Sequence, residues 1–538
     1  MIDLGTWDYI IVGAGTAGCL LANRLSENPA NRVLLLEAGK SDNYHWVHIP
    51  VGYLYCIGNP RTDWGFKTQA EPGLNGREIL YPRGKVLGGC SSINGMIYMR
   101  GQAADYDGWR QMGCTGWGWD DVLPYFLKHQ DHYAGRGFSG GELHEEGGEW
   151  RIEEARLHWE VLDSFRDACA EIGIEKVADF NAGNNAGSSY FQVNQRSGWR
   201  WNTAKAFLRP TKGRPNLRIE TEAQVTRLTV SEGRVSGMDL TLHGQPSKVH
   251  CSGEVVLASG AIGSPQILQL SGIGPGALLQ EHGINVTQEA SQVGQNLQDH
   301  LQLRCIYKVH GVKTLNESSA SLWGKAKIAL EYALKRSGPM SMAPSQLGVF
   351  AKSDESFETP NLQYHVQPLS LEKFGEPLHD FPAMTASVCN LRPESRGEVA
   401  IQSPDPMAAP AIRPNYLSAQ ADKRVAADAI RLTRRIMEAP SMAQYAPEEY
   451  LPGAHLTEQS ELEQAAGAVG TTIFHPVATC RMGADDQSVV DPRLRFKGID
   501  GLRVIDASVM PTITSGNTNS PTLMIAEKGA AMMLEDAR

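Results

Sequence analysis

The chain has no covalent or metallic scaffold that its sequence makes visible. Nine cysteines are scattered through it, with no Cys-x-x-Cys pair and no His/Cys cluster at zinc spacing, so neither a disulfide framework nor a structural metal is expected. An odd, unpatterned set of thiols fits a reducing compartment. Lysine and arginine form no run and the formal net charge is −10, which removes the basic footprint of a nucleic-acid binder. No apolar stretch reaches the roughly 18 residues of a membrane span. The first apolar run follows directly on Asp8, with no basic-then-apolar leader ahead of it. The expected location is the cytoplasm, with peripheral contact at an inner membrane as the alternative. No internal repeat or low-complexity segment is present.

What is present is enough apolar residue for a large core: 538 residues, 41% hydrophobic and 20% charged, a length that suggests about two to four domains. The most specific stretch lies in the first forty residues. Tyr9 to Val12 run into Gly13-Ala-Gly15-Thr16-Ala17-Gly18; a helical pattern follows (Ala17, Leu20, Leu21, Leu25), and a second apolar run ends at Glu37-Ala38-Gly39. Each part has a mechanical reason. Gly13 turns sharply out of the strand, Gly15 admits a pyrophosphate against the backbone, and Gly18 lets the helix pack on the sheet. The helix N-terminus offers unpaired N–H groups to phosphate, and Glu37 can accept from both hydroxyls of a ribose. Alone, the glycines describe an ordinary turn; with strand, helix, second strand and acid in register they describe an adenine-dinucleotide site.

Downstream, residues 41–118 read as loop-rich, and a polar link from Gly135 to Gly148 reads as a boundary. Leu162, Phe165, Ala168 and Ile172 mark an amphipathic helix. Strands are expected at Leu217–Ile219, Val225–Val230, Val235–Leu242 and Val255–Ala258, as a meander or hairpin within the nucleotide domain. Residues 325–335 and 426–437 read as helices and 362–366 as a strand; the C-terminal part reads as a strand at 502–505 and a helix from Thr522 to Leu534.

Three further clusters bear on chemistry. Pro82-Arg83-Gly-Lys85-Val86-Leu-Gly88-Gly89-Cys-Ser91-Ser92-Ile93-Asn94-Gly95 combines glycines and small hydroxyl residues, which let a backbone lie flat against a planar ring. Ser259-Gly260-Ala-Ile-Gly263-Ser264-Pro265 follows a strand, with Pro265 expected in a first helical turn and Ser271-Gly272 at the helix end. Phe474-His475-Pro476, with Gly516-Asn517-Thr518-Asn519 later, pairs a rigidly placed histidine with a polar loop, which suits a general base and an orienting amide. Read locally, each cluster also fits a plain loop, a strand–helix connection or a structural histidine.

In this order and spacing the four clusters resemble the glucose–methanol–choline (GMC) flavin oxidoreductases over essentially the whole chain. The resemblance implies an α/β fold: a Rossmann-like FAD-binding domain (1–155, 197–300 and 465–538) interleaved with an α+β substrate-binding domain built on an antiparallel sheet (156–196 and 301–464). It implies FAD, with the pyrophosphate on Gly13, Gly15, Thr16 and Ala17 and the adenosine ribose on Glu37 beside Ala38. Val225 lies where a strand residue meets the adenine. Arg83, Val86, Gly89, Asn94, Gly95 and Ile97 fall in the segment along the isoalloxazine, which Asp506, Ala507, Asn517 and Thr518 approach from the C-terminal side. Some members attach FAD through a histidine in the second cluster; Ile93 stands at that position, so non-covalent FAD is expected.

The implied reaction is oxidation of a small-molecule alcohol, primary in the leading reading, by hydride transfer to flavin N5, with His475 as base and Asn517 fixing the substrate oxygen. Choline-oxidising relatives place an acid just after the Asp-His pair matching Asp299-His300; Gln302 stands there, which lowers the odds of choline. Tyr364, His365, Met340, Met342 and Phe350 are candidates for an apolar pocket, with core as the favoured reading for each. The electron acceptor is a quinone or oxygen, and a homodimer is allowed. The rival functions are an oxygen-using GMC oxidase, a GMC-type hydroxynitrile lyase, an NAD-dependent dehydrogenase and a non-catalytic flavin binder.

Overall fold

The computed structural model describes residues 1–133, 141–373 and 375–537. Two seven-stranded sheets organise it. The first has Ile2–Val12 at its centre, with Val33–Leu36 and Leu217–Glu220 parallel to it on one side. On the other side Gln245–Leu257 pairs with it in parallel and then carries Leu502–Val504, also parallel. All four residues of Val33–Leu36 are buried, as a strand covered on both faces requires, which is why it reads as an unbroken apolar run. Ala223–Ser231, Arg234–Leu242 and Gln245–Leu257 form the expected meander, antiparallel and joined to the same sheet.

The parallel strands end together at Val12, Leu36 and Leu257, so the loops that follow them share one edge of the sheet, the edge where α/β folds bind ligands. Helix Thr16–Leu25 leaves this edge and lies beside the C-terminal helix Asn519–Asp536. Thr16 Oγ1 donates to Asn519 Oδ1 at 2.8 Å, and Arg24 Nε donates to Glu527 Oε1 at 2.8 Å. The two contacts have the same sequence offset, so the helices run parallel and their N-termini meet.

The second sheet is antiparallel: Glu448–Leu451, Leu301–Lys308, Ala383–Asn390, Leu362–Gln367, Leu347–Ala351 and Gly187–Tyr190 in order, with Gly470–Thr472 also on Leu301–Lys308. Helices Glu160–Glu171 and Gln420–Glu438 cover it; the second buries Val425, Ala426, Ala429, Ile430, Ile436 and Met437 along one stripe, the spacing of an amphipathic helix. The helix and strand expectations for 162–172, 217–258, 325–335, 362–366, 426–437, 502–505 and 522–534 each meet an element of that type. Short helices such as His45–His48, Tyr53–Cys56 and Ala103–Gln111 break up the region read as loop. Of the expected 135–148 link, residues 135–140 lie outside the described residues.

One local expectation is corrected. Pro265 does not sit in a first turn: its helix spans Gly260–Leu270, so the proline is interior. Proline has no N–H to give the carbonyl four residues back, which here is Ala261. Thr479 Oγ1 donates to that carbonyl at 2.7 Å instead. The helix therefore tolerates the proline because a residue from the histidine cluster replaces the missing bond.

Candidate active site

Between the two sheets lies a cavity of about 1440 Å³, larger than the ~300–1000 Å³ of an ordinary small-ligand pocket. Gly13, Gly15, Thr16, Ala17, Glu37, Ala38 and Val225 line one end of the sequence-expected set, and Arg83, Gly89, Asn94, Gly95, Ile97, Asp506, Ala507, Thr518, His475 and Asn517 line the rest. Val86 is the exception. It is fully buried, pairs with Lys40 and accepts the Gly89 N–H at 2.7 Å, so it shapes the loop without reaching the cavity.

The glycine-rich edge is built by close backbone contact. Gly13 has φ +99°, and a Cβ there would meet the Ala258 carbonyl oxygen at 2.7 Å; one on Gly18 would meet the Gly13 oxygen at 1.8 Å. Gly89 has φ +51° and a Cβ on it would lie 2.6 Å from the Gly15 Cα. The first and second clusters are thus pressed together, and side chains at these positions would fill the cradle. Gly15 precedes its helix with no side-chain cap, so first-turn N–H groups remain open at the cavity, next to the N-terminus of Asn519–Asp536. Asn519 Nδ2 is buried there without a partner. Two aligned helix N-termini and an unspent amide donor form a site for a diphosphate. Glu37 accepts from Ala14 N–H at 2.9 Å and Gly39 N–H at 2.7 Å; burial, only partly offset by those bonds, raises its carboxyl to about 7.

At the other end stands His475. The ladder that joins Leu301–Leu303 to Gly470–Thr472 continues as Ile473 N–H to His300 O, and Gln298 pairs with Val477. His300 is thereby carried beside His475. Phe474 takes φ +71° and Ala478 φ +72°, a sparsely populated conformation for residues with side chains. Asp299 holds the turn: it accepts from His475 N–H at 2.8 Å, Thr472 Oγ1 at 2.6 Å, Tyr81 OH at 2.8 Å and the Tyr416 hydroxyl. Arg83 donates to the Phe474 carbonyl at 2.8 Å.

These contacts fix the tautomer of the base. His300 Nε2 lies 3.1 Å from the Leu391 carbonyl oxygen, which can only accept, so Nε2 carries the proton. Burial lowers His300 to about 4, so it is neutral and its Nδ1 is bare. His475 Nδ1, 3.0 Å away, must donate to it. His475 Nε2 is then the bare nitrogen, and Asn517 Nδ2 donates to it at 3.1 Å. Gln363 Nε2 donates to Asn517 Oδ1 at 3.2 Å and sets the amide's orientation. Burial, then the neighbouring His300, His365 and Arg83, holds His475 well below the usual histidine range. The result is a neutral imidazole at the cavity wall whose unprotonated Nε2 accepts from the Asn517 amide.

The structure sorts the remaining candidates by strand alternation. Gln363 and His365 face the cavity side of Leu362–Gln367, while Tyr364 between them turns into the core and meets Thr433. His365, Met340 and Met342 line the cavity; Phe350 packs against Phe180 in the core. Asp506 reaches the cavity, but its carboxylate is engaged with Gly260 N–H (2.8 Å) and Ser264 Oγ (2.6 Å) at the neighbouring helix start. Sequence reasoning passed over the roles of His300, Asp299, Gln363 and His365. The Asp299-His300 pair was visible as a motif, but its contact with His475 depends on a strand pairing across the whole second half of the chain.

Family models for GMC oxidoreductases match residues 7–302 and 393–526. The chain is 39% identical to an alcohol dehydrogenase (acceptor) of Pseudomonas putida over 531 residues, covering 98% of this chain and 96% of that protein. This chain belongs to the GMC oxidoreductase family. Other relatives of this GMC oxidoreductase include the mitochondrial choline dehydrogenase of Homo sapiens, 36% identical over 97% of this chain and 89% of that one. Among solved structures, pyridoxine 4-oxidase from Mesorbium loti superposes with a TM-score of 0.88 at 30% identity over 98% of both chains. FAD is the cofactor of the family, and the residues present fit it: an extended cavity, a glycine cradle that side chains would fill, and an unpaired amide at two converging helix N-termini.

Proposed function

We propose that this GMC oxidoreductase oxidises a primary alcohol to the aldehyde, with His475 accepting the hydroxyl proton. The observation that carries the reading is the bare Nε2 of a neutral, buried His475 at the cavity wall. An entering hydroxyl takes the place of the Asn517 amide on that nitrogen, donates to it, and accepts from Asn517 Nδ2–H, which orients the substrate oxygen. Base help of this kind contributes about 10²–10⁴-fold in rate. Bound FAD supplies the acceptor for the hydride that leaves the alcohol carbon. Gly13, Gly15, Thr16 and Ala17, with Asn519, would hold the diphosphate; Glu37, Ala38 and Val225 the adenosine; and Gly89, Asn94, Gly95, Ile97, Ala507 and Thr518 the ring system. Ile93 is an apolar residue without a linking nitrogen, which supports non-covalent attachment. The FAD-binding part is assigned to 1–155, 197–300 and 465–538 and the substrate part to 156–196 and 301–464; Gly470–Thr472 is the piece of the former that pairs into the second sheet.

Gln302, Met340 and Met342 line the cavity; a neutral amide at 302, in place of a carboxylate, favours an uncharged alcohol over a cationic one. The test is an anaerobic panel of alcohols, choline included, followed by flavin bleaching and then reoxidation with oxygen or a quinone analogue. Bleaching by uncharged primary alcohols and fast reoxidation by the quinone are expected. Bleaching by choline alone, or by no alcohol, rejects the reading.

A further inference from the structure

Four of the fourteen exposed large apolar side chains of the described residues stand on a single helix. Helix Leu322–Lys335 begins with a Ser321 cap, whose Oγ accepts from Gly324 N–H at 3.0 Å, yet buries only Tyr332. Leu322 is 84% exposed, Trp323 87%, Leu330 60% and Leu334 74%. At 3.6 residues per turn, Leu322, Ala326, Leu330 and Ala333 fall on one side with Trp323 and Leu334 next to them. The side that meets the protein carries Gly324, Ile328, Glu331 and Tyr332. This inverts the usual arrangement, in which a surface helix turns its apolar stripe to the core. Lys325 and Lys327 border the stripe, Lys335 ends the helix, and the only acid on it, Glu331, is engaged by Ser337.

The helix is also part of the cavity's rim. Lys325 and Ile328 line the cavity, as do Leu54, Tyr55 and Leu80, which are 42%, 52% and 48% exposed. Ile328 meets the cavity from the side of the helix opposite the stripe, so the helix walls the cavity with one face and turns its apolar stripe outward with the other.

We propose that this face docks the protein on an anionic lipid bilayer, with Leu322, Trp323, Leu330 and Leu334 in the interfacial layer and the helix that walls the cavity lying along the membrane. A stripe of leucine and tryptophan flanked by lysines is the pattern of a helix that lies in the membrane interface, and tryptophan is favoured at that depth. Charge selects the occupant. The chain is acidic overall, with a net charge of −10, so a local set of lysines is complementary to anionic headgroups. A second copy seated on this face would bring the same lysines together. Docked this way, the cavity lies beside a reservoir of alcohols that partition into lipid.

The test is flotation of the FAD-loaded protein with vesicles of equal parts phosphatidylglycerol and phosphatidylcholine, and with vesicles of phosphatidylcholine alone. Binding is read without turnover, so its outcome is independent of the substrate assignment. Binding to the anionic vesicles that weakens with salt is expected. The double variant Trp323→Glu/Leu330→Glu should bind more than about tenfold less well. It should keep its flavin, its melting temperature and its turnover of a short water-soluble alcohol. Lys327→Gln/Lys335→Gln should lose about 30-fold, from ~1 kcal/mol per lysine at an anionic surface. Four results overturn the proposal: no binding; equal binding to both vesicles; unchanged binding by either variant; or a solution dimer that Trp323→Glu/Leu330→Glu splits.

Discussion

His475 is a usable base because of the groups behind it. Its own burial makes it neutral, but neutrality alone leaves the proton free to sit on either nitrogen. The Leu391 carbonyl decides the matter two rings away, by claiming the proton of His300 Nε2 and so leaving Nδ1 to accept from His475. Replacing His300 with leucine should lower kcat about 10²-fold at full flavin content, the low end of what a misdirected base costs. His300→Asn, whose amide oxygen can accept, should recover part of that loss; equal losses in the two variants would mean that His300 only fills space. Because the histidine's proton affinity is depressed, the active unprotonated form lies above that low pKa. Activity should persist as pH falls from 8 to 6 and fail only well below the ordinary histidine range, as a kcat/KM profile will record.

Glu37 titrates with the opposite sense. Its carboxyl is raised to about 7, so the folded cofactor-free protein holds this proton more tightly than the unfolded chain. That contribution to stability is complete below the unfolded pKa and disappears as pH rises through 7. Ribose hydroxyls, by contrast, donate to the ionised form. FAD affinity should therefore fall about tenfold between pH 8 and pH 6, and Glu37→Gln should bind FAD weakly with little pH dependence. A wild-type affinity that does not change over this range would remove Glu37 from the ribose. Its identity was legible in the sequence because an acid ending a second strand has a local signature.

At the scale of elements, the sequence was most informative where the cause is local. Apolar runs, helical spacing and glycine turns are written within about ten residues, and the strands and helices read from them are present. Pro265 shows where local reading stops. Proline near a helix start is a sound expectation, but the residue that makes an interior proline tolerable, Thr479, lies in a distant segment. Thr479→Val would leave the Ala261 carbonyl buried without a donor, a loss of about 1–3 kcal/mol. Pro265→Ala restores a backbone N–H to that carbonyl, so the double variant should be less destabilised than Thr479→Val alone. Additive denaturation midpoints would contradict this account. Strand alternation supplied a second lesson: His365 reaches the cavity and Gln363 meets Asn517 on the same side, while Tyr364 turns away, a division that could not be made before the strand's neighbours were known.

At the scale of the molecule, the site exists only because the two sheets meet. The first sheet delivers the glycine cradle and Glu37 along the shared ends of its parallel strands. The second delivers Gln363 and His365, and its Leu301–Thr472 pairing carries His300 to His475. Four clusters in a fixed order made the family and its cofactor legible, since each cluster is a short motif. The hydrogen-bonded chain from Leu391 through His300 to His475 was not legible, because each of its links joins segments far apart in sequence. Val86 stands behind the cavity wall for the same reason: membership of a motif does not say which of its residues faces inward.

The central claim is that the neutral, correctly oriented His475 takes the proton of an alcohol in this cavity. Its most direct measurement is the rate of flavin bleaching by a primary alcohol, mixed anaerobically in a stopped-flow instrument, for the wild type and for His475→Ala. The account predicts equal flavin content in both proteins and a bleaching rate about 10²–10⁴-fold lower in the variant. Bleaching at the wild-type rate by a fully flavin-loaded His475→Ala would contradict it.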